Sequence, residues 1–225
     1  MGRLQSCRAE SFAGGRITEL SVYKGDTYQL ELEDGKKFYI NCAIVADYDL
    51  HEGGEMDGGL LEKLQHADRM RKAKKRALYL LGSRMYCYNE LYKKLLPAYG
   101  EEASRAAADA MQEYGYIDDE DYAAKLADRL IHVKRYGMQK TRWEMQTRGL
   151  DRNLIEDVLA EYSDDDIDEE ILHLLETKYS EKLSDPDDRR RTMAALARRG
   201  YGWSAVKRCM EKIIQDLDDN EEEYE

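Results

Sequence analysis

The spacing of apolar residues changes once along the chain, near Leu60. Residues 17–41 alternate apolar and polar positions, and Asp34-Gly35 suits a type I′ hairpin turn. This segment therefore predicts a small antiparallel β meander. From Leu60 onward the apolar residues recur at helical spacing. The pattern as a whole predicts a mainly α protein preceded by a short β segment.

Residues that stop and start helices divide the region after Leu60. The expected stops are Pro97, Gly115, Gly137, Gly149 and Gly200. The expected N-terminal caps are Asp118 or Asp119, Asp151, Ser163, and Asp185 with Pro186 after it. These boundaries predict about nine helices, most of them short.

The helical region contains an internal repeat. The segments ELYKKLL (90–96), EMQTRGL (144–150) and ALARRGY (195–201) superpose at offsets of 54 and 51 residues. This repetition predicts three units of three helices each. Such small units bury their apolar faces by stacking on one another, so we expect three tandem three-helix repeats in an elongated solenoid. The expected divisions are 1–59 for the β-meander extension, 60–115, 116–162 and 163–215 for helical repeats 1 to 3, and 216–225 for an acidic tail. The acidic block 218–225 in this tail is expected to be disordered.

Charge follows the same period. The formal net charge is −12, yet net-basic blocks occur at residues 67–100, 123–152 and 189–212, one in each repeat. A solvated helix face is the simpler explanation for any single block. Three blocks in repeat register favour a basic stripe that binds a phosphate backbone. The acidic blocks 118–122 and 163–170 fit the first turns of helices, where carboxylates favour the macrodipole.

The candidate nucleic-acid contacts are the cations in repeat register. They are Arg84, Lys93, Lys94, Lys140, Arg142, Arg148, Arg152, Arg198, Arg199, Lys207 and Arg208. An alternative for Arg148 and Arg199 is a place at helix C-termini, where cations also favour the dipole. Trp143 and Trp203 are predicted to be core anchors.

Motifs for catalysis are absent from the sequence. It has no phosphate-binding loop, no HExxH, and no GxSxG around a nucleophilic serine. The acids of residues 164–170 could suggest a Mg²⁺ nuclease, but consecutive carboxylates fan around a helix. The four cysteines form no CxxC pair and predict reduced thiols. We therefore expect no enzyme activity, no metal and no cofactor.

Neither a membrane span nor a secretory signal is visible in the sequence. The expected location is the cytoplasm.

Several motifs together resemble the RecX family, bacterial regulators of the RecA recombinase. The first runs from Arg84 to Leu95 and includes Glu90-Leu91 and Lys94-Leu95. The second is Gly-Tyr-Ile-Asp-Asp at 115–119, followed by Tyr122-Ala123, and the third is LARRGY at 196–201. The resemblance covers about residues 60–215. Thr141 and Met145 depart from it, since a branched aliphatic and a Leu are usual there.

The resemblance implies a non-enzymatic protein that lies along the groove of a RecA filament on single-stranded DNA. It would alter ATP hydrolysis, strand exchange and filament growth in DNA repair and the SOS response, with inhibition the favoured direction. The implied partners are the RecA filament and single-stranded DNA, and nothing demands more than a monomer. A plain nucleic-acid-binding protein and an acidic-carboxylate nuclease stay open as alternatives.

Overall fold

The computed structural model describes the backbone of residues 12–222 and the side chains of residues 12–215. Its N-terminal part is an antiparallel sheet in the order β3-β2-β1-β4. The strands are β1 (Gly15–Lys24), β2 (Thr27–Leu32), β3 (Lys37–Asn41) and the short β4 (Glu55–Met56). Leu30 in the middle strand pairs with Leu20 on one side and Phe38 on the other. The predicted meander is confirmed.

The β2–β3 turn differs from the expected type I′ turn. Such a turn needs positive φ at both central residues, whereas Gly35 has φ 78° and Asp34 is not among the described non-glycine residues with positive φ. The Gly35 amide donates to Leu32 O at 2.8 Å, and the Leu32 amide donates to Lys36 O at 2.9 Å. The connection is therefore a three-residue loop that ends on a left-handed glycine, a common alternative for hairpins.

Helices make up most of the described chain. They are α1 (Cys42–Asp47), α2 (Gly58–Leu81), α3 (Tyr88–Glu113), α4 (Asp119–Asp128), α5 (Met138–Arg148), α6 (Arg152–Leu159), α7 (Asp164–Lys178), α8 (Pro186–Arg198) and α9 (Trp203–Glu222). A π-helical turn, Arg129–Val133, continues α4, and a 3-10 turn, Ser180–Lys182, follows α7. Gly100, with φ 76° and ψ 175°, breaks α3 into two segments.

The predicted N-terminal caps are confirmed. The side chains of Asp118, Asp151 and Asp185 accept hydrogen bonds from amides in the first turns of α4, α6 and α8. Ser163 and Asp166 form a reciprocal capping box at α7. The hydrogen bonds from Ser163 lower the pKa of the Asp166 carboxyl. The acidic blocks before α4 and α7 therefore serve the helix starts.

The helix stops are only partly as expected. Gly115, Gly149 and Gly200 lie at or just after helix ends with φ of 73°, 89° and 90°, as predicted. Pro97 does not end its helix, because the first segment of α3 continues to Gly100. Proline removes one amide donor near the end of the helix, but the left-handed glycine is what turns the chain away.

The buried positions of the repeated helices fit the offsets taken from the sequence. Cys87 and Leu91 correspond to Thr141 and Met145 at 54 residues, these correspond to Thr192 and Leu196 at 51 residues, and all six are buried. The helix ends differ, because Gly149 and Gly200 directly follow Arg148 and Arg199 whereas the first segment of α3 continues to Gly100. The alignment of Lys94 with Arg148 and Arg199 stays a prediction.

The described residues fall into two compact units. Within the described range, the first comprises residues 12–84 and Leu91–Tyr114, and the second comprises Met85–Glu90 and residues 115–222. In the first unit the sheet packs on α1 and the start of α2, with Leu30 and Leu64 fully buried. In the second unit a single hydrophobic cluster runs from α4 to α9. The second and third predicted repeats therefore share one core.

Both tryptophans contradict the prediction of core anchors. Trp143 is 58% exposed and Trp203 is 57% exposed. Helix α5 buries Thr141 and Met145 instead. Trp143 lies two residues from each of them, so its side chain points away from the buried face of the helix.

The end of α9 also differs from expectation. The helix extends to Glu222, so residues 218–222 have helical backbone in the structure. No Gly or Pro interrupts the sequence from Ser204 to Glu222, so nothing local stops the helix. The remaining residues of the predicted tail, 223–225, lie outside the described residues.

Candidate nucleic-acid interface

A backbone contact joins the start of α5 to the end of α8 within the second unit. The Gly137 amide donates to Arg199 O at 2.9 Å, and the Gln139 amide donates to Gly200 O at 3.2 Å. A Cβ built on Gly137 would lie 2.4 Å from both the carbonyl carbon and the oxygen of Gly200. The prediction that Gly137 stops a helix is wrong. It precedes α5, and glycine is required there because two backbones meet.

Arg199 holds the same junction through its side chain. Its guanidinium Nη1 donates to the carbonyl oxygens of Lys134 and Arg135, each at 3.2 Å. These carbonyls follow the π-helical turn, and Arg135 itself has the left-handed φ of 54°. A non-glycine residue in that conformation persists only where its surroundings fix it. Arg199 therefore supports an unusual turn as well as lying at the C-terminus of α8.

A buried carboxylate ties this turn to α7. Glu170 is 6% exposed and accepts hydrogen bonds from Arg135 and from His132 Nδ1, the latter at 2.7 Å. A buried charge is tolerated only when it is paired and hydrogen-bonded. The neighbouring Tyr201 is buried, and this burial raises the pKa of its hydroxyl, with a smaller contribution from Glu170.

Arg148 belongs to a second network at the opposite end of α5. Its Nη1 donates to the hydroxyl of Tyr122 at 3.1 Å, and that hydroxyl donates to Glu90 Oε2 at 3.2 Å. The Asn89 side-chain Nδ2 donates to Gly149 O at 2.6 Å, which satisfies a carbonyl at the helix end. Arg148 is also the last residue of α5. It therefore lies at a helix C-terminus, where its positive charge favours the helix dipole, as the alternative explanation expected.

Two other candidate arginines form bidentate ion pairs. Arg142 donates to both carboxylate oxygens of Glu156 at 2.8 and 2.9 Å, and this pairing lowers the pKa of Glu156. Arg208 forms the same arrangement with Asp168, with its shortest contact at 2.6 Å. Exposed ion pairs of this kind contribute little to stability. A phosphate can therefore compete for either guanidinium.

The remaining candidates lie on the surface. Lys140 is half-buried with its ammonium 3.9 Å from the Tyr136 ring centroid, and Lys207 is exposed 3.6 Å from Glu211. Arg84 is exposed between α2 and α3. For Lys93, Lys94, Arg152 and Arg198, all exposed, no hydrogen bond or ion pair is recorded within the described part of the chain.

The junction brings Lys140 and the end of α8 together, since a Cβ on Gly200 would lie 2.4 Å from the Lys140 amide nitrogen. The assignment of these cations to nucleic-acid or filament binding stays a prediction.

A further basic segment, on α2, was not among the candidates. Residues 69–76 read RMRKAKKR and hold six cations in eight positions. Arg71, Lys72 and Lys75 line a cleft within the first unit. A run so rich in Lys and Arg is itself a signal of nucleic-acid binding, but restricting the candidates to cations in repeat register left it out.

Other chemistry is limited in the described residues. Among the side chains of residues 12–215, no group of three His, Cys, Asp or Glu could hold a metal ion. No helix within the described backbone is long and apolar enough to cross a membrane. The described cysteines are free thiols, of which Cys42 is exposed. Burial raises the pKa of Cys87, and it raises that of Cys209 to about 12. Cys7 lies outside the described residues.

Helices α4 to α9 form two successive three-helix units after an N-terminal sheet, so the fold defines a mainly helical repeat protein. A family model described as RecX, second three-helix domain, matches residues 118–159, and one described as RecX, third three-helix domain, matches residues 164–210. In these two segments the chain is similar to the RecX family of regulatory proteins.

Relatives with the name regulatory protein RecX align along most of the chain. The Bacillus subtilis protein is 24% identical over 216 residues, covering 92% of this chain and 80% of its own length. A Clostridium botulinum protein is 25% identical over 207 residues, covering 88% and 96%.

Solved structures share the fold. A crystal structure of a regulatory protein RecX covers 88% of this chain and 99% of its own at 20% identity, with a TM-score of 0.70. RecX from Lactobacillus salivarius covers 68% of this chain and 98% of its own at 22% identity, with a TM-score of 0.58.

Proposed function

We propose that this chain is a non-enzymatic regulator of the RecA recombinase. It binds along the groove of the RecA filament on single-stranded DNA and inhibits ATP hydrolysis, strand exchange and filament growth. It acts in the cytoplasm as a monomer, in the control of recombination, DNA repair and the SOS response. The observation that carries the proposal is the match of two successive three-helix units to RecX family models.

The geometry of the second unit supports this function. The contact between Gly137 and Gly200 fixes α5 against the end of α8, and exposed cations lie near the ends of these helices. Arg198 ends α8, and Arg152 begins α6 shortly after α5. A rigid surface with spaced cations suits a long, regularly charged partner, because several weak contacts act together.

Inhibition requires a difference in affinity between filament states. A regulator shifts an equilibrium only by as much as it prefers one state over the other. Contacts with several subunits at once would tie the regulator to the assembled filament, since single subunits offer only one contact each. The proposal therefore predicts an effect at amounts well below one regulator per RecA subunit.

The test is the single-stranded-DNA-dependent ATP hydrolysis of RecA, titrated with this chain. We expect inhibition at substoichiometric ratios. Unchanged hydrolysis at every ratio, with filaments shown to have formed, would refute the proposal. Strong binding to DNA alone, unaltered by RecA, would support the plain nucleic-acid-binding protein instead.

A charge-reversal pair tests the predicted cations. Arg152→Glu with Arg198→Glu should weaken inhibition, because both side chains are exposed in the second unit. The matched control is Arg190→Glu with Arg191→Glu, which makes the same change in charge at exposed positions earlier in α8. Circular dichroism confirms folding of both variants. Equal inhibition by the two variants would remove Arg152 and Arg198 from the interface.

A further inference from the structure

The first unit contains an open cleft beside α2 with a volume of about 630 Å³. One wall is helix α2, and the opposite side is formed by residues of β2 and β3 and by the end of the first segment of α3. Thr27 and Tyr39 line it from the strands, and Tyr99 lines it from α3. The volume lies within the range of ordinary ligand sites. We call it the α2 cleft.

The α2 wall carries three cations, of which one is already paired. Lys72 Nζ forms an ion pair with Asp68, which is 5% exposed. This buried carboxylate fixes the position of Lys72 and offsets its charge. Arg71 and Lys75 line the same wall, and no ion pair is recorded for either within the described residues. Asp26 is the other acid in the lining, so the cleft keeps a net positive charge.

Three further cations near the cleft add to its positive electrostatic potential. Arg69, Lys74 and Arg76 are exposed on the same helix and bring the total to six cations within residues 69–76. The Arg76 guanidinium lies 5.1 Å from the ring centroid of Tyr79, which is 70% exposed. So many like charges on adjacent turns repel one another, and a polyanion relieves that repulsion.

The rest of the lining suits a ligand with both phosphate and aromatic groups. Tyr99 is half-buried on the α3 side, and the Tyr39 hydroxyl donates to Gln29 Oε1 at 3.4 Å on the sheet side. Thr27 adds a hydroxyl. Cations beside tyrosine rings are the combination with which proteins bind single strands without strong sequence preference.

We infer that the α2 cleft binds single-stranded nucleic acid, with Arg71 and Lys75 on successive phosphate groups and the Tyr99 ring against a base. The cleft is open to solvent, so a strand can reach its lining from outside. This inference rests on the part of the proposed function that names single-stranded DNA as a partner, and it moves the DNA contact to cations outside the repeat register. It is independent of RecA.

The test is the binding of a fluorescein-labelled thymidine oligonucleotide to the full chain, followed by anisotropy over a range of salt concentrations. Arg71→Ala with Lys75→Ala should weaken binding about tenfold at low salt and lower the salt slope by about 1.4, since each phosphate contact on a single strand contributes about 0.7. The control Arg69→Ala with Lys74→Ala removes the same charge from exposed positions of α2 that do not line the cleft. It should weaken binding far less.

Two further arms test the base contact and the source of the phosphate. Tyr99→Ala should weaken binding, and Tyr99→Phe should restore it, because stacking needs the ring and not the hydroxyl. Free thymidine monophosphate and inorganic phosphate should compete only weakly with the oligonucleotide. Strong competition by the monophosphate would show a nucleotide site and overturn the inference of a strand.

The outcomes separate this inference from the proposed function. The inference that the α2 cleft binds DNA would be refuted if the unaltered chain did not bind DNA. It would also be refuted if the cleft variant and the control variant lost equal amounts of DNA affinity. Inhibition of RecA by the unaltered chain would leave the proposed function intact in that case. DNA binding through the cleft without any effect on RecA would instead support the cleft and refute the proposed function.

Discussion

Gly137→Ala tests the close backbone contact between Gly137 and Gly200 at the α5–α8 junction. The added methyl group would lie 2.4 Å from the Gly200 carbonyl carbon and oxygen and from the Tyr201 amide nitrogen. Carbon contacts in proteins are normally about 3.5 Å or longer. The two backbones must therefore separate by roughly 1 Å, and all three atoms in the way are main-chain atoms that cannot move independently.

The expected loss has two contributions. Overpacking at a well-packed contact costs about 1–3 kcal/mol. Separation of the backbones also lengthens the hydrogen bonds to Arg199 O and Gly200 O, each worth about 1 kcal/mol net. We expect a decrease of about 3 kcal/mol in the free energy of unfolding. For a unit of somewhat over 100 residues that corresponds to a melting temperature lower by roughly 10–15 °C.

The assay is urea unfolding followed by tryptophan fluorescence. The chain has two tryptophans, Trp143 and Trp203, and both lie in the second unit, so the signal reports that unit. Gly202→Ala is the matched control, because a Cβ there meets no atom within 4 Å. It should change stability by less than about 0.5 kcal/mol. Equal midpoints for the two variants, with unchanged m-values, would refute the close contact.

Two other predictions concern the core of the second unit. Thr141 is fully buried and its hydroxyl is unpaired among the described residues, so Thr141→Val should raise the free energy of unfolding by about 1 kcal/mol in the same assay. The control Thr147→Val, at an exposed site, should give no gain. A loss of stability in Thr141→Val would show that the Thr141 hydroxyl has a hydrogen-bond partner. In a Cys7→Ser variant, a thiol reagent at pH 8 should modify only Cys42 in the folded protein. Burial and the raised pKa values keep Cys87 and Cys209 as protonated, inaccessible thiols, and unfolding should expose both to the reagent. Rapid modification of Cys87 or Cys209 in the folded protein would contradict their burial.

Short-range signals predicted the helix starts well. Asp118, Asp151, Ser163 and Asp185 cap the helices that they were expected to cap, because a cap bonds to amides only two or three residues away. Gly137 was misassigned because its partner, Gly200, is distant in sequence. No local pattern distinguishes a glycine that ends a helix from one against which another backbone packs.

The candidate binding residues show the same limit. Their charge was visible in the sequence, but the partners of Arg142, Arg148, Arg199 and Arg208 depend on tertiary structure. The α2 cations were equally visible, yet only the fold shows that Arg71 and Lys75 face a cleft. Composition therefore predicted a basic surface, and the structure was needed to decide which cations already have a partner.

The capping of α5 by carbonyls from the end of α8 has a consequence for synthesis of the chain. During translation, α5 leaves the ribosome well before Arg199 and Gly200 exist, so its first amides have no protein acceptor until α8 has formed. The nascent second repeat must wait in an incomplete state for the third. For the same reason these repeats are poor modules for genetic shuffling, since deletion or exchange of one would leave the other without the backbone groups that complete it.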